Sequence, residues 1–228
     1  MIAHPKKFFS GLGLMAGFIV VLILIFSPIL QGRNCLEYLD SLYNSISKGS
    51  ANYIPDLRQE LDGLTDVAVD VTLTMANKLQ AGQTALLFEK SGVTASVVEG
   101  KITVYGSIGK ILANCLDDAE RMYLNKGQAV NDKYGYSEKA VLFNWWNAFK
   151  ALDNGLKNQK RFKEAKIVAL VKKKAVETAY NYYTIEPQQI SDRYGIILLS
   201  LVFYVVYTIW YGFAIMFMFE GWGMKLEH

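Results

Sequence analysis

Three aspartates recur at every fourth position in a segment whose apolar pattern predicts a helix. Asp62, Asp66 and Asp70 would form an acidic line along that helix, because residues four apart face the same side. Neighbouring carboxylates can bind a cation or share a proton. The line also lies opposite the apolar stripe of the same predicted helix. The sequence therefore leaves two interpretations open, a cation or partner contact and a solvated surface.

A basic segment and one tryptophan predict a second candidate interaction surface. The densest part of the basic segment is a run of three lysines, Lys172, Lys173 and Lys174. This charge favours contact with anionic lipid headgroups or with an acidic partner subunit. It also fits the solvated side of an amphipathic helix. Trp146 follows Trp145, which fits a buried stripe, so Trp146 either packs against another element or is exposed as a contact residue.

Residue types that commonly carry catalysis or hold metals are scarce in this chain. The histidines are His4 and His228, and the cysteines are Cys35 and Cys115. Zinc sites need clustered histidine or cysteine ligands, and a nucleophile–histidine pair needs a histidine inside the domain. The sequence therefore predicts no metal site, no cofactor and no enzymatic activity. The two cysteines can form a disulfide in an oxidising compartment, or Cys115 packs as a small buried residue of its predicted helix.

Two long uncharged segments predict transmembrane helices. Residues 8–30 and residues 195–219 contain no charged side chain. A helix rises about 1.5 Å per residue, so each segment exceeds the roughly 20 residues that cross the hydrocarbon core of a bilayer. The first segment is long for a secretory signal and has no small-residue cleavage site after it. We therefore expect it to be a retained anchor.

The second predicted span carries a polar face. Five hydroxyl side chains share one side of it: Ser200, Tyr204, Tyr207, Thr208 and Tyr211. In a bilayer such groups hydrogen-bond across a helix interface. In the first span, Gly13 and Gly17 form a G-x-x-x-G motif that permits a close helix approach. The face is explained by packing of the two spans on each other, by helices of a partner protein, or by a small apolar ligand.

Residues 31–194, between the two spans, are charged and mainly helical by pattern. The clearest periodicity runs from Leu57 to Leu79, where apolar residues recur at steps of three and four and predict one helix. Residues 93–105 are rich in β-branched side chains on both sides of Glu99-Gly100. This pattern predicts a β-hairpin with a tight turn at that dipeptide.

Further helices complete the predicted domain. They cover residues 34–48, 107–125, 137–156 and 161–184. The intervening residues 125–136 are predicted to be a loop because they are rich in glycine, asparagine and charge. The predicted fold is therefore mainly α, with two transmembrane helices flanking an extramembrane antiparallel helical bundle that contains a small β-hairpin.

Orientation and function follow from this arrangement as expectations. Lys6 and Lys7, in a tail of residues 1–7, favour a cytoplasmic N terminus, and two spans return residues 220–228 to the same side. The central domain would then be periplasmic or otherwise outside the cytoplasm, and the chain would reside in the inner (plasma) membrane. We expect a non-enzymatic accessory subunit of a membrane complex, whose helical domain scaffolds or binds partner proteins. The alternative is a sensor or regulatory subunit that binds a ligand in this domain and signals laterally.

The expected partners follow from charge and location. The formal net charge of +3 gives no reason to expect a nucleic-acid partner. Membrane lipid is expected around the two spans. A membrane-protein partner or a second copy of this chain is expected to receive any signal, because so little of the chain lies on the predicted cytoplasmic side.

Overall fold

The chain folds into two compact units. The part described by a computed structural model comprises residues 2–30, 32–61 and 63–224. One unit, called here the terminal unit, is made of the two ends of the chain, up to Gly49 and from Pro187 onward. The other, called here the central domain, is Ser50–Glu186.

Helices dominate the structure, and the predicted mainly-α fold class is confirmed. The elements in chain order are α1 (Pro5–Phe26), α2 (Cys35–Ser50), α3 (Ile54–Glu60), β1 (Ala68–Thr74), α4 (Lys78–Lys90), β2 (Thr94–Val98), β3 (Lys101–Ser107), α5 (Ile108–Tyr123), α6 (Gly127–Tyr134), α7 (Glu138–Asn158), α8 (Phe162–Val171), a π-helical turn (Lys172–Glu177), α9 (Thr178–Tyr182) and α10 (Ile190–Trp222).

Both predicted spans are helical in the terminal unit. α1 and α10 are each long and apolar enough to cross a membrane, by length and composition. α1 ends at Phe26, before the predicted end of the span, because the residue ahead of Pro28 is disfavoured in the helical region. The two helices pair in antiparallel fashion, and an ion pair of 2.7 Å joins Lys7 to Glu220 at one end of the pair.

The central domain contains a three-stranded antiparallel sheet in the order β1-β3-β2. β2 and β3 form the predicted hairpin, in which Val98 pairs with Lys101 across a two-residue turn. Glu99 has a φ of 49° and Gly100 a φ of 80°. Two successive positive φ values are what a type I′ hairpin turn requires, so the turn prediction at this dipeptide is confirmed.

The single helix predicted between Leu57 and Leu79 is wrong. α3 ends at Glu60, Gly63 adopts a φ of 87°, and the chain then continues as β1. Apolar residues of this segment also recur at steps of two, and three alternate ones are buried in β1: Val69, Val71 and Leu73. Antiparallel pairing with β3 supplies the backbone hydrogen bonds of the strand, and β-branched side chains favour it.

Helices α5 and α7, which the sequence predicts over residues 107–125 and 137–156, each bury one apolar stripe. The fully buried residues of the α5 stripe are Ile108, Leu112, Cys115, Ala119 and Met122. Those of the α7 stripe are Val141, Trp145, Ala148, Phe149, Leu152 and Leu156. The Trp145 ring meets the Phe88 ring edge-on at 5.9 Å between centroids, which joins α7 to α4.

The loop predicted over residues 125–136 is wrong, because this segment contains α6. Val130 and Tyr134 are buried on one side of the helix. Gly135, with a φ of 74°, ends it in the left-handed conformation that commonly closes helices. Two of the glycines that indicated a loop, Gly127 and Gly135, therefore mark the ends of a short helix.

Candidate binding cleft

A surface cleft lies between α7 and the segment formed by the π-helical turn and α9. Its volume is about 440 Å³, within the range of ~300–1,000 Å³ that is usual for ligand pockets. Seven side chains line it: Leu142, Phe143, Trp146, Val176, Glu177, Tyr180 and Asn181. Phe143 is 53% exposed and Tyr180 is 43% exposed. Large aromatic side chains left open beside an apolar concavity are typical of binding surfaces.

Trp146 forms part of the cleft wall and contacts groups of both charges. Its indole Nε1 donates a hydrogen bond of 2.8 Å to Oε1 of Glu177. The ammonium nitrogens of Lys150 and Lys172 each lie 5.3 Å from the centroid of the Trp146 ring. An ammonium group at this distance is attracted by the ring quadrupole. The contacts therefore fix the indole and hold two cations beside the cleft.

The helix predicted over residues 161–184 is interrupted by the π-helical turn, and the interruption shapes the cleft. The turn spans Lys172–Glu177, between α8 and α9. A π turn contains more residues than an α turn, so it changes which side chains face a neighbouring helix. Here Lys172 and Glu177, at its two ends, both contact Trp146. Such turns are frequent at functional sites.

The three predicted lysines separate in the structure. Lys172 contacts Trp146 at the cleft. The ammonium nitrogen of Lys174 lies 5.1 Å from the ring centroid of Tyr53, and Lys173 is exposed. Two of the residues that the sequence analysis named, Lys172 and Trp146, therefore lie together at the cleft, and their contact role stays a prediction. Lys150, which stands four residues after Trp146 on α7, was not named there.

The acidic line predicted along one helix does not form. Asp62 lies outside the described residues. Asp66 is exposed in a turn before β1, and Asp70 is exposed on β1 itself. The helical arrangement is wrong because this part of the chain is a turn followed by a strand. A contact role for Asp66 or Asp70 stays a prediction.

Both cysteines are free thiols. Cys115 is completely buried in α5, and burial followed by the nearby charge of Asp118 raises the pKa of its thiol. Cys35 begins α2 and is partly exposed. The predicted disulfide is therefore not realised, and Cys115 packs as a small apolar side chain, as in the alternative interpretation.

Sequence interpretation missed a buried carboxylate in the core. Asp118 has no exposed surface and accepts hydrogen bonds from the Tyr134 hydroxyl at 2.6 Å and from Trp145 Nε1 at 2.9 Å. The ammonium group of Lys133 pairs with its other oxygen at 2.6 Å. The network joins α5, α6 and α7. A signal was present, because Asp118 stands on the apolar stripe of α5, three residues after Cys115.

In the terminal unit, part of the predicted polar face packs between the two long helices. The Tyr207 hydroxyl donates to the carbonyl oxygen of Phe18 at 3.2 Å, and the two rings stack at 4.2 Å. Trp210 Nε1 donates to the carbonyl oxygen of Leu14 at 3.0 Å. The Tyr211 ring lies 5.0 Å from the Phe18 ring. Packing of the spans on each other thus accounts for Tyr207 and Tyr211.

The remaining hydroxyl groups of this face have other surroundings. Ser200 shares a hydrogen bond of 2.7 Å with the hydroxyl of Tyr43 on α2. Thr208 donates to the carbonyl oxygen of Tyr204 within its own helix at 2.7 Å. The Tyr204 side chain is 68% exposed. Of the three predicted tyrosines, Tyr204 is therefore the most exposed, and Tyr211 is 43% exposed although its ring lies near Phe18.

The closest backbone approach of α1 to α10 among the glycines of α1 is at Gly11, two residues before the predicted Gly13. A Cβ atom at Gly11 would lie 2.9 Å from the carbonyl oxygen of Ala214, whereas one at Gly13 would meet no described atom within 4 Å. A Cβ at Gly17 would lie 3.0 Å from the Trp210 ring. The role predicted for Gly13 is therefore wrong, because that residue faces away from α10, and Gly11 fills it.

Comparison of the chain with protein-family models, with curated proteins and with solved structures finds no match. Function is therefore inferred from the chain's own residues. Among the described residues, the cleft beside Trp146 is the feature that best fits a binding site.

Proposed function

We propose that this chain is a two-span membrane protein whose central domain binds a partner protein in the cell envelope. Along α10, residues 201–206 are all aliphatic or aromatic and all exposed. Six consecutive residues cover the whole circumference of a helix. Proteins in water rarely leave such a surface uncovered, whereas the hydrocarbon of a bilayer accommodates it. This exposure is what supports the membrane assignment.

The cleft supports the binding role. Phe143 and Tyr180 are exposed and line the same cleft as the partly buried Trp146. Aromatic residues with limited rotamer freedom are the usual centres of protein–protein contact energy. A role as an accessory or scaffolding subunit of a membrane complex is the function that such a surface serves best.

A non-enzymatic role fits the chemistry of the cleft. Of its described lining residues, Glu177 supplies the one carboxylate, and that group already accepts a hydrogen bond from Trp146. General acid–base catalysis needs a proton donor or acceptor that can reach the substrate. The lining therefore suits recognition better than reaction.

The proposed topology has both termini in the cytoplasm and the central domain outside it, with the inner (plasma) membrane as the location. It is tested with a membrane-impermeant thiol reagent on intact cells, after replacement of the native cysteines. We expect labelling of an Asn131→Cys variant and none of an Ala3→Cys variant. The reverse pattern would invert the topology.

The binding role is tested by purification from native membranes in mild detergent. We expect a stoichiometric partner with the unaltered chain and its loss with the Phe143→Ala/Trp146→Ala double variant. Tyr105→Ala is the matched control, because Tyr105 is a 60% exposed aromatic residue of β3 outside the cleft. Equal recovery of the partner with both variants would contradict binding of the partner at the cleft. Release of the chain from the membranes by carbonate washing without detergent would contradict the assignment as a membrane protein.

A ligand-responsive sensor is the second candidate function. The cleft volume of about 440 Å³ is the observation that favours it, because this space suits a small molecule as well as a protein side chain. A metabolite that raises the melting temperature of the purified chain, with no effect on the Trp146→Ala variant, would favour a sensor over a scaffold.

A further inference from the structure

The chain segment that forms the cleft has a clear excess of positive charge. From Glu138 to Tyr182, covering α7 to α9, the chain has ten lysine and arginine residues against four carboxylates. Each carboxylate already has a partner in the structure: Glu138 accepts from Tyr183, Asp153 from Lys157, Glu164 from Arg161 and Glu177 from Trp146. With all four carboxylates counted as charged, the segment still has a formal net charge of +6, which favours an anionic partner.

Two lysine side chains lie beside the cleft. Lys150 approaches Trp146 from α7, and Lys172 approaches it from the π-helical turn. Because the aromatic wall already holds two ammonium groups, a cationic ligand would meet like charge there. Carboxylates of a partner would instead meet charges that the fold has brought together. Glu177 keeps its negative charge while it accepts the hydrogen bond from the neutral indole, so two ammonium groups against one carboxylate leave a net positive charge beside Trp146.

The interior of the cleft is apolar beneath these charges. Leu142 and Val176 are buried at its base, and Phe143 and Tyr180 stand open at its sides. A groove between two helical segments is suited to side chains that project at i, i+3 or i+4 from a third helix. The combination of an apolar base and a cationic rim defines the kind of helix that is complementary to it.

We infer that the cleft binds an acidic amphipathic helix of the partner protein, with apolar residues seated between Phe143 and Tyr180 and carboxylates placed beside Lys150 and Lys172. This inference rests on the proposed function and adds the chemical class of the partner. The charge pattern decides against a quaternary ammonium or a basic peptide. An anionic membrane surface is the competing occupant, and the experiment below separates it from a helix.

The test uses the full-length chain in nanodiscs of phosphatidylcholine and three fluorescently labelled synthetic peptides of about four helical turns. All carry leucine at i, i+3, i+4 and i+7, and the other positions are filled with glutamate, glutamine or lysine. We expect saturable binding of the glutamate peptide, about tenfold weaker binding of the glutamine peptide, and none of the lysine peptide. Raising the salt to about 0.5 M should weaken the glutamate complex, because it screens exposed charges.

Charge-reversal variants locate the effect. Lys150→Glu and Lys172→Glu should each reduce the affinity of the chain for the glutamate peptide by about tenfold. Lys101→Glu makes the same change on β3, outside the cleft, and should alter binding by less than about twofold. Unchanged melting temperatures of the three variants would show that folding is not the cause.

The outcomes distinguish this inference from the proposed function. Equal binding of the glutamate and glutamine peptides, both lost in Phe143→Ala/Trp146→Ala, would overturn the acidic partner and leave a helix-binding cleft. Absence of binding by all three peptides, or binding that survives this double variant, would overturn the cleft itself. Displacement of the glutamate peptide by phosphatidylglycerol vesicles at comparable surface charge would assign the lysines to a membrane surface instead.

Discussion

Replacement of Asp118 by asparagine should destabilise the central domain strongly while leaving its shape nearly unchanged. Oδ2 of Asp118 accepts hydrogen bonds from Tyr134 and Trp145, and Oδ1 pairs with Lys133. An asparagine amide has one acceptor oxygen, so its NH₂ group must face either the two donors or the ammonium group. In both orientations a buried donor is left facing a donor.

The expected magnitude follows from the burial of this network. A hydrogen bond to a charged group contributes about 1.5–3 kcal/mol, and removal of one partner of a buried ion pair costs about 3–5 kcal/mol. The Asp118 side chain is 0% exposed, but that of Lys133 is 22% exposed and can regain some hydration. We therefore expect a loss of about 3 kcal/mol, equivalent to a fall of about 10 °C in melting temperature for a domain of this size.

Asp117→Asn supplies the matched control for this prediction. Asp117 is the preceding residue of the same helix, its side chain is 50% exposed, and its partner Arg58 keeps a second contact with Glu120 at 2.8 Å. An exposed pair of this kind contributes about 0–1 kcal/mol. The two variants thus make the same chemical change in opposite environments.

The assay is urea unfolding of the full-length chain in detergent, monitored by near-ultraviolet circular dichroism, to which the buried Trp145 contributes. A loss of about 3 kcal/mol should lower the midpoint by roughly 1–2 M. In a Lys133→Met background the Asp118→Asn change should cost less, because the ammonium group is already absent. The reasoning is refuted if Asp118→Asn falls within about 1 kcal/mol of Asp117→Asn.

Three further predictions concern other parts of the molecule. Gly11→Leu should destabilise the α1–α10 pair by about 1–3 kcal/mol, measured by thermal unfolding of the protein in micelles, because its Cβ would lie 2.7 Å from a backbone nitrogen of α10. Gly13→Leu should be neutral, and equal effects of the two substitutions would contradict this packing. A thiol reagent should modify Cys35 in the native protein and buried Cys115 only after unfolding, so rapid reaction of both would contradict the burial. Burial raises the pKa of Tyr136 to about 12, so the folded state should become less stable as pH rises from about 10 to 12, by up to about 3 kcal/mol, because the phenol ionises first in the unfolded chain. Urea midpoints should show this loss, Tyr136→Phe should reduce it, and an unchanged profile in that variant would count against the assignment.

Local patterns in the sequence were sufficient for several elements. The stripes of α5 and α7, the hairpin turn at Glu99-Gly100 and the two long apolar helices all follow from interactions between residues near in the chain. Helical periodicity and the positive φ of a two-residue turn are set by such neighbours. Trp146 was also identified, because it departs from a stripe that Trp145 follows.

The tertiary structure decided the elements whose partners are distant. Between Leu57 and Leu79 the apolar residues fit steps of two as well as steps of three and four, and pairing of β1 with β3 selects the strand. The cleft depends in the same way on the π-helical turn, which brings Lys172 and Glu177 to Trp146. The order of residue types determines which surfaces are apolar or charged. Backbone pairing and packing across long sequence separations determine which of those surfaces meet. The sequence alone does not predict these contacts, because they produce no periodic pattern in the local sequence.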